Sequence, residues 1–251
     1  MTDRPARGTT AAGPDHRTHD DLHNDNDNDN DNGSNDMTND RLERYAPLTG
    51  IAAVALTVAG VVAAGESPDF LADGGEIATY LVDDSGAALA GAMLWIVAAV
   101  PLAWFVGVLW SRLRATEEGV ARRSATALIG GTAGVVAWIG AAAVASVAAL
   151  RAEEDGAIDA GVATALTDLA NIGWAAAAPI GFGILLLATG LVVVRSGAPL
   201  PRWLGWVSIV FAVWAFIPPI SWAFAMVGWN LWLVVASAWL VWGDRSREPA
   251  S

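Results

Sequence analysis

Six blocks of apolar residues, each close to the length needed to cross a lipid bilayer, dominate this chain. They cover 46–65, 88–110, 125–150, 172–194, 203–220 and 222–242. A bilayer core is about 30 Å thick and a helix rises about 1.5 Å per residue, so about 20 residues suffice to cross it. Backbone amides in hydrocarbon have no water to bond, which restricts spanning structures to helices and closed barrels. Continuous apolar runs of this length, without strict alternation, select helices. The expected fold class is all-α, a six-transmembrane-helix bundle over residues 41–243. A disordered acidic tail over 1–40 should precede it, and a cytoplasmic C-terminal tail over 244–251 should follow.

The last two blocks nearly touch. One continuous helix over 203–242 would be about 60 Å long, twice the thickness of the hydrocarbon. Pro218 and Pro219 stand near its middle, where they remove two amide donors and clash with the preceding turn. A tight helical hairpin is therefore expected there.

The arginines set an orientation. All fourteen basic residues are arginine. Arg41 and Arg44 precede the first block, Arg112, Arg114, Arg122 and Arg123 follow the second, Arg195 and Arg202 flank the loop after the fourth, and Arg245 and Arg247 follow the last. The two alternate loops are acidic and hold only Arg151. The positive-inside rule then places both termini in the cytoplasm of a cytoplasmic (inner) membrane protein, as an even number of crossings requires. Arg112, Arg114, Arg122, Arg123, Arg195 and Arg202 should sit among anionic headgroups, each attracted by about 1 kcal/mol. Trp110, Trp203, Trp206 and Trp242 fall at inner ends and Trp174 and Trp222 near outer ends, as an aromatic belt predicts. No cleavable signal pattern precedes the first block, which should act as an uncleaved anchor.

The net charge of −12 owes much to the first forty residues, which hold ten aspartates, four of them in an Asn-Asp alternation from Asn24 to Asn32. That segment has too little apolar surface to offset the entropy of ordering it. It lacks the glycine turn and distal glutamate of a calcium-binding loop, and His16, His19 and His23 are read as solvated. Met37, followed by Thr-Asn-Asp-Arg-Leu-Glu-Arg, offers an alternative translation start. In the outer loops, Ile77, Tyr80 and Leu81, and again Ile158, Val162, Leu166 and Leu169, share helical faces and read as short amphipathic helices lying on the outer surface.

Reactive groups are scarce. The chain has no cysteine, which removes thiolate chemistry and disulfides. No ionisable residue lies in the centre of any block, so a proton relay lacks its carriers. All histidines are in the tail, which excludes a haem held between helices, a His-Glu-x-x-His zinc protease and a Ser-His dyad. No cofactor or metal is expected, and no nucleic-acid partner. The remaining candidates are Asp168 with Asn171, three residues apart outside the fourth block, and Asn230 with Trp229 and Trp232 in the sixth. The first pair would contact a cation or substrate if its helix began early and dipped into the outer leaflet. The second group would line a pore or pocket, within a tryptophan stripe formed by Trp222, Trp229, Trp232 and Trp239. Gly130 and Gly134 form a Gly-x-x-x-Gly element suited to close helix packing, within the chain or between copies. Pro101 and Pro179 should kink their helices.

The stretch Gly197-Ala-Pro-Leu-Pro-Arg-Trp-Leu-Gly-Trp206, with Ile77-Ala-Thr-Tyr-Leu81 before the second block, resembles an uncharacterised family of six-span membrane proteins common in actinobacteria. The resemblance covers about Tyr45 to Trp242. It implies the six-span layout, and brings no activity, ligand or catalytic residue with it. The expected role is that of a non-catalytic membrane protein, a sensor or an accessory subunit, working through the lipid bilayer, another membrane protein or a second copy of itself. The alternative is a small transporter or channel for a neutral or apolar solute. An enzyme acting on lipid at the outer face, with Asp168 as acid or base, is the third reading.

Overall fold

A computed structural model describes residues 43–69 and 72–243. The acidic tail with its histidines, the Met37 start, Arg41, and the C-terminal tail with Arg245 and Arg247 lie outside the described residues. The described residues are helical, without a strand. The helices are α1 (Glu43–Ala64), α2 (Gly74–Asp83), α3 (Ser85–Thr116), α4 (Arg122–Asp155), α5 (Ala160–Ser196), α6 (Arg202–Ala215) and α7 (Pro218–Trp242). Five of these, α1, α3, α4, α5 and α7, are long and apolar enough to cross a membrane.

Local chemistry sets where the helices begin. Asp73 caps α2, accepting from the Gly75 and Glu76 amides at 2.8 and 3.0 Å. Asp159 caps α5 in the same way through Gly161 and Val162, at 2.9 and 3.1 Å. Two acids of the loops over 66–85 and 151–171 thus satisfy amide donors that a helix start leaves open. At the opposite end, Glu117 reaches forward to the start of α4, accepting from the Arg123 and Ser124 amides at 3.2 and 2.9 Å. The Arg123 guanidinium stands 3.7 Å from the same carboxylate, whose side chain is 10% exposed. Burial alone would push this carboxyl up, but the Ser124 and Arg123 amides and the Arg123 charge outweigh it and hold it below the usual glutamate range. A carboxyl depressed on folding stabilises the fold above the ordinary glutamate pKa, and that stability is lost as pH falls through the folded value. Glu117→Gln should therefore cost about 1 kcal/mol at neutral pH. It should also flatten the acid limb of a denaturation curve recorded from pH 7 to pH 3, in the direction the depressed carboxyl dictates.

Three expectations need correction. The second outer segment is not a separate surface helix, because α5 runs unbroken for 37 residues from Ala160 to Ser196. Its proposed apolar face is also divided: Ile158 and Leu166 pack inward, while Val162 and Leu169 are exposed. The Asp159 cap explains the early start, since it supplies a helix end where the sequence reading placed a loop. The fifth apolar block, 203–220, is not one helix: α6 has 14 residues and ends at Ala215, so it is not among the helices long and apolar enough to cross a membrane. Pro218 and Pro219 do not sit at the tip of the turn but open α7, where a proline lacks only a donor that the first turn would leave unbonded anyway. The turn itself is Phe216 and Ile217. Pro101 lies inside α3.

Glycine sets the closest approaches. An added Cβ on Gly130 would come within 2.7 Å of the Leu185 amide, one on Gly134 within 2.5 Å of the Phe182 ring, and one on Gly181 would strike the Gly134 backbone. α4 and α5 therefore cross nearly backbone to backbone, the geometry that small residues permit. Gly60 and Gly91 bring α1 and α3 together similarly, and Gly190 and Gly205 do so for α5 and α6.

α6 tracks α5 antiparallel. Gly205 packs on Val193, Ile209 on Gly190, and Ala215 and Phe216 on Gly183. Ser221 then donates to the Ala175 carbonyl. From Val193 back to Ala175 is about 27 Å of helix. The chain from Gly205 to Ser221 follows α5 over that distance, although α6 alone is only about 21 Å long.

Two apolar clusters result. The larger unites Phe105 of α3, Phe182 of α5, Leu204 and Ala212 of α6, and Phe224, Trp229 and Trp232 of α7. The smaller joins Ile77 and Leu81 of α2 to Ala148, Ala149 and Ala152 of α4 and Ala163 of α5.

Candidate functional site

The tryptophans of α7 form the centre of the large cluster. Trp229 stacks on Phe182 with ring centroids 4.0 Å apart and an interplanar angle of 10°, and it lies parallel to Trp232 at 5.8 Å. Phe105 meets Trp232 edge-on at 6.2 Å. The Trp232 indole donates to Ser208 Oγ at 2.8 Å, and Ser208 passes a hydrogen bond to the Leu204 carbonyl. Trp229 and Trp232 are 2% and 1% exposed. They are packed core rather than the wall of a pore, which corrects the ligand-lining role expected for them. Trp222 is 53% exposed and Trp239 half-buried, so the four do not form one stripe.

The reason is a π turn at Phe224–Gly228. A second one, Gly173–Ala177, lies within α5. Such turns carry an extra residue and are frequent at functional sites. Each leaves main-chain carbonyls to be satisfied, and each is served by a side chain. Pro179 has no amide to offer the Ala175 carbonyl four residues earlier; the Ser221 hydroxyl of α7 donates to that carbonyl instead. Asn230 Nδ2 donates to the Ala225 and Met226 carbonyls of its own helix at 3.1 and 2.9 Å. Local π adjustments and hydroxyl or amide side chains are how helices in lipid accommodate a proline.

Asp168 is exposed on α5 and points away from the bundle, even though the helix begins early. Asn171 is half-buried, and its Oδ1 accepts from the Trp174 indole at 3.1 Å. The structure thus separates Asp168 from Asn171. It brings Asn171 and Asn230 to neighbouring cavities instead. One, of about 230 Å³, is lined by Thr57, Trp95, Trp138, Trp174, Met226 and Asn230. The other, of about 240 Å³, is lined by Tyr80, Trp95, Asn171, Trp174 and Met226 among others. Trp95 and Trp138 were not singled out in the sequence, and Trp174 was read as a belt residue. Trp95 donates to the Thr57 carbonyl at 3.1 Å and Trp138 to the Trp95 carbonyl at 3.0 Å, binding α1, α3 and α4 in series. Their mid-block positions, away from both predicted interfaces, were the available signal. Above them, the Tyr80 hydroxyl donates to the Ala64 carbonyl at 3.2 Å at the end of α1; burial, then the nearby Asp84 charge, raises its pKa.

A third, open groove of about 1410 Å³ runs along α3 past Val100, Trp104 and Gly107, to Glu43 and Arg112 at one end. On that same end of the bundle Arg114, Arg122, Arg123, Arg195 and Arg202 are exposed, and Arg112 is half-buried. Among the described residues, no cluster of His, Asp and Glu has the makings of a metal site. No charged residue lines either small cavity. The lining offers an uncharged molecule aromatic faces, two carboxamides and the Tyr80 hydroxyl. No family model, no curated protein and no solved structure matches the chain.

Proposed function

We propose that this chain is a six-span protein of the cytoplasmic membrane, with both termini in the cytoplasm, which acts by binding rather than by catalysis. Its ligand would be lipid, a partner membrane protein or a second copy of the chain. The observation that carries the reading is the division of arginine along the helices: Arg112, Arg114, Arg122, Arg123, Arg195 and Arg202 gather at one set of ends, with Glu43, Glu117 and Glu118 beside them, whereas the loops at the other ends are acidic and hold Arg151 alone among arginines. The sixth crossing is supported by the way α6 and the turn after it follow α5 for the depth of a bilayer core. A five-span alternative would send α7 out through the opposite face.

The test is a pair of reporters fused after Trp242, one active only in the cytoplasm and one only outside. Cytoplasmic activity alone is the expected result. Activity outside would overturn the combination of six crossings with a cytoplasmic N-terminus. The transporter reading draws on the two cavities, with Asn230 bordering one of them, but no longer on Trp229 and Trp232. An outer-face enzyme would need Asp168, which borders neither small cavity.

A further inference from the structure

The two π turns border one space. Trp174 belongs to the first and Met226 to the second, and both residues, with Val61 and Trp95, line each of the two adjoining cavities. Together the cavities form a cleft. It reaches from Tyr80 and Asn171 near the outer helix ends down to Thr57, Trp138 and Asn230. The length of α1 along it, Thr57 to Gly65, is about 12 Å.

The lining specifies what fits. The Trp95, Trp138 and Trp174 indole N–H groups are already bonded within the chain, and so is Asn230 Nδ2. Asn171 Nδ2 and Asn230 Oδ1 have no hydrogen bond within the described residues, and neither do the Ser67 and Thr167 hydroxyls that line the upper chamber, which leaves a few neutral donors and acceptors on a mainly apolar surface. A charged ligand would find no counter-ion there, and burying an unpaired charge is costly. Each chamber is smaller than the roughly 300–1,000 Å³ of drug-sized pockets, room for one hydrocarbon chain rather than two. The entrance is also apolar: Val58, Val62 and Met226 border the lower chamber and are themselves exposed, Val62 by 75%. On a helix within a bilayer, that side faces lipid.

We propose that this cleft binds an uncharged single-chain amphiphile that enters sideways from the lipid between α1 and α7. Its tail lies against Trp95 and Trp138, and its hydroxyl or ester head bonds the Asn171 carboxamide. This rests on the membrane placement proposed above. The π turns at Gly173–Ala177 and Phe224–Gly228 shape the walls: each rotates its helix so that Trp174 and Met226 turn into the cleft.

The test uses the full chain in phosphatidylcholine nanodiscs. The probe is 1-decanoylglycerol with a diazirine in its chain, and the control is decanoic acid with the same diazirine. Adducts should concentrate on peptides holding Trp95, Trp174 and Met226. The neutral probe should exceed the ionised one by about tenfold, the factor that about 1.4 kcal/mol provides. Ala145→Phe, which fills the upper chamber, should abolish the concentration. Asn171→Leu should keep labelling of the tail-contacting peptides but remove the preference for the neutral head. Adducts spread evenly, as dense around Val100 and Trp104 as in the cleft, would overturn the proposal. So would a folded Ala145→Phe protein that labels like the parent. If Ala145→Phe does not fold, Asn171→Leu decides, and an unchanged preference sinks the idea. A failed labelling experiment with a cytoplasmic C-terminal reporter removes the site alone, whereas a reporter active outside removes the membrane reading beneath it.

Discussion

Replacing Gly181 by leucine is expected to destabilise the bundle by about 3 kcal/mol, the upper range for inserting bulk into a packed interior. The cause is the absence of anywhere for the side chain to go. A Cβ at Gly181 would strike the Gly134 amide nitrogen and Cα and lie 3.0 Å from the Ala133 carbonyl carbon. Those are backbone atoms and have no rotamer to change, so α4 and α5 must separate. Gly134 is its counterpart: a Cβ there meets the Phe182 ring at 2.5 Å, and Phe182 is fixed by its stacking on Trp229 at 4.0 Å. Gly107 and Gly140 are the controls. A Cβ at either meets nothing within 4 Å, and alanine there should be neutral or stabilising by about 0.5–1 kcal/mol through helix propensity. The midpoint of SDS-induced unfolding, followed by tryptophan fluorescence, separates the two groups. A Gly181→Leu midpoint equal to that of the parent would mean that the close crossing is absent in a bilayer environment.

What the sequence reveals about this protein follows from which forces leave a one-dimensional trace. Hydrophobic block length does, because hydrocarbon thickness sets it, and the long apolar helices α1, α3, α4, α5 and α7 correspond to blocks visible in the chain. Small residues four apart do as well, and Gly130 and Gly134 stand at a helix crossing. Helix ends are harder to read. Asp73 and Asp159 were counted as outer-loop charge when their carboxylates cap helices, and Glu117 was overlooked among the arginines around it. A cap needs one oxygen within reach of two amides, and an acid in a polar loop looks the same whether or not it has that geometry.

The candidate site was less legible. Asn171 and Asn230 were named, but with the wrong companions, Asp168 for the first and Trp229 and Trp232 for the second. Neither error comes from a π turn, since Asp168 and Asn171 share the regular helix before the first and Asn230, Trp229 and Trp232 the regular helix after the second. At about 100° per residue, Asp168 stands roughly 60° from Asn171 and Trp229 roughly 100° from Asn230, enough to give them different surroundings. A π turn adds a residue without any fixed sequence signature. The missing amide of Pro179 is accommodated by the π turn before it and by the Ser221 hydroxyl from α7. That hydroxyl is 46 residues away in sequence, and nothing local points to it.

The register shift itself predicts the second large effect. Trp222 and Trp229 are seven residues apart, so on an uninterrupted α-helix they would share a face within about 20°. The π turn Phe224–Gly228 lies between them and turns the downstream face by roughly 100°, one residue's worth of helix. Trp222 is left exposed while Trp229 is stacked between Phe182 and Trp232. Trp229→Ala should therefore cost about 3–5 kcal/mol, as truncating a buried aromatic does in packed cores. In lipid the loss comes chiefly from forfeited contacts around the void, since hydrocarbon is as apolar as the core the ring leaves. Trp222→Ala should change the same SDS midpoint by no more than about 0.5 kcal/mol, the range for surface positions. Equal losses at the two positions would mean that they share a face after all. The π turn would then be absent from the membrane-embedded helix, and the cleft that Met226 helps to line would lose its wall.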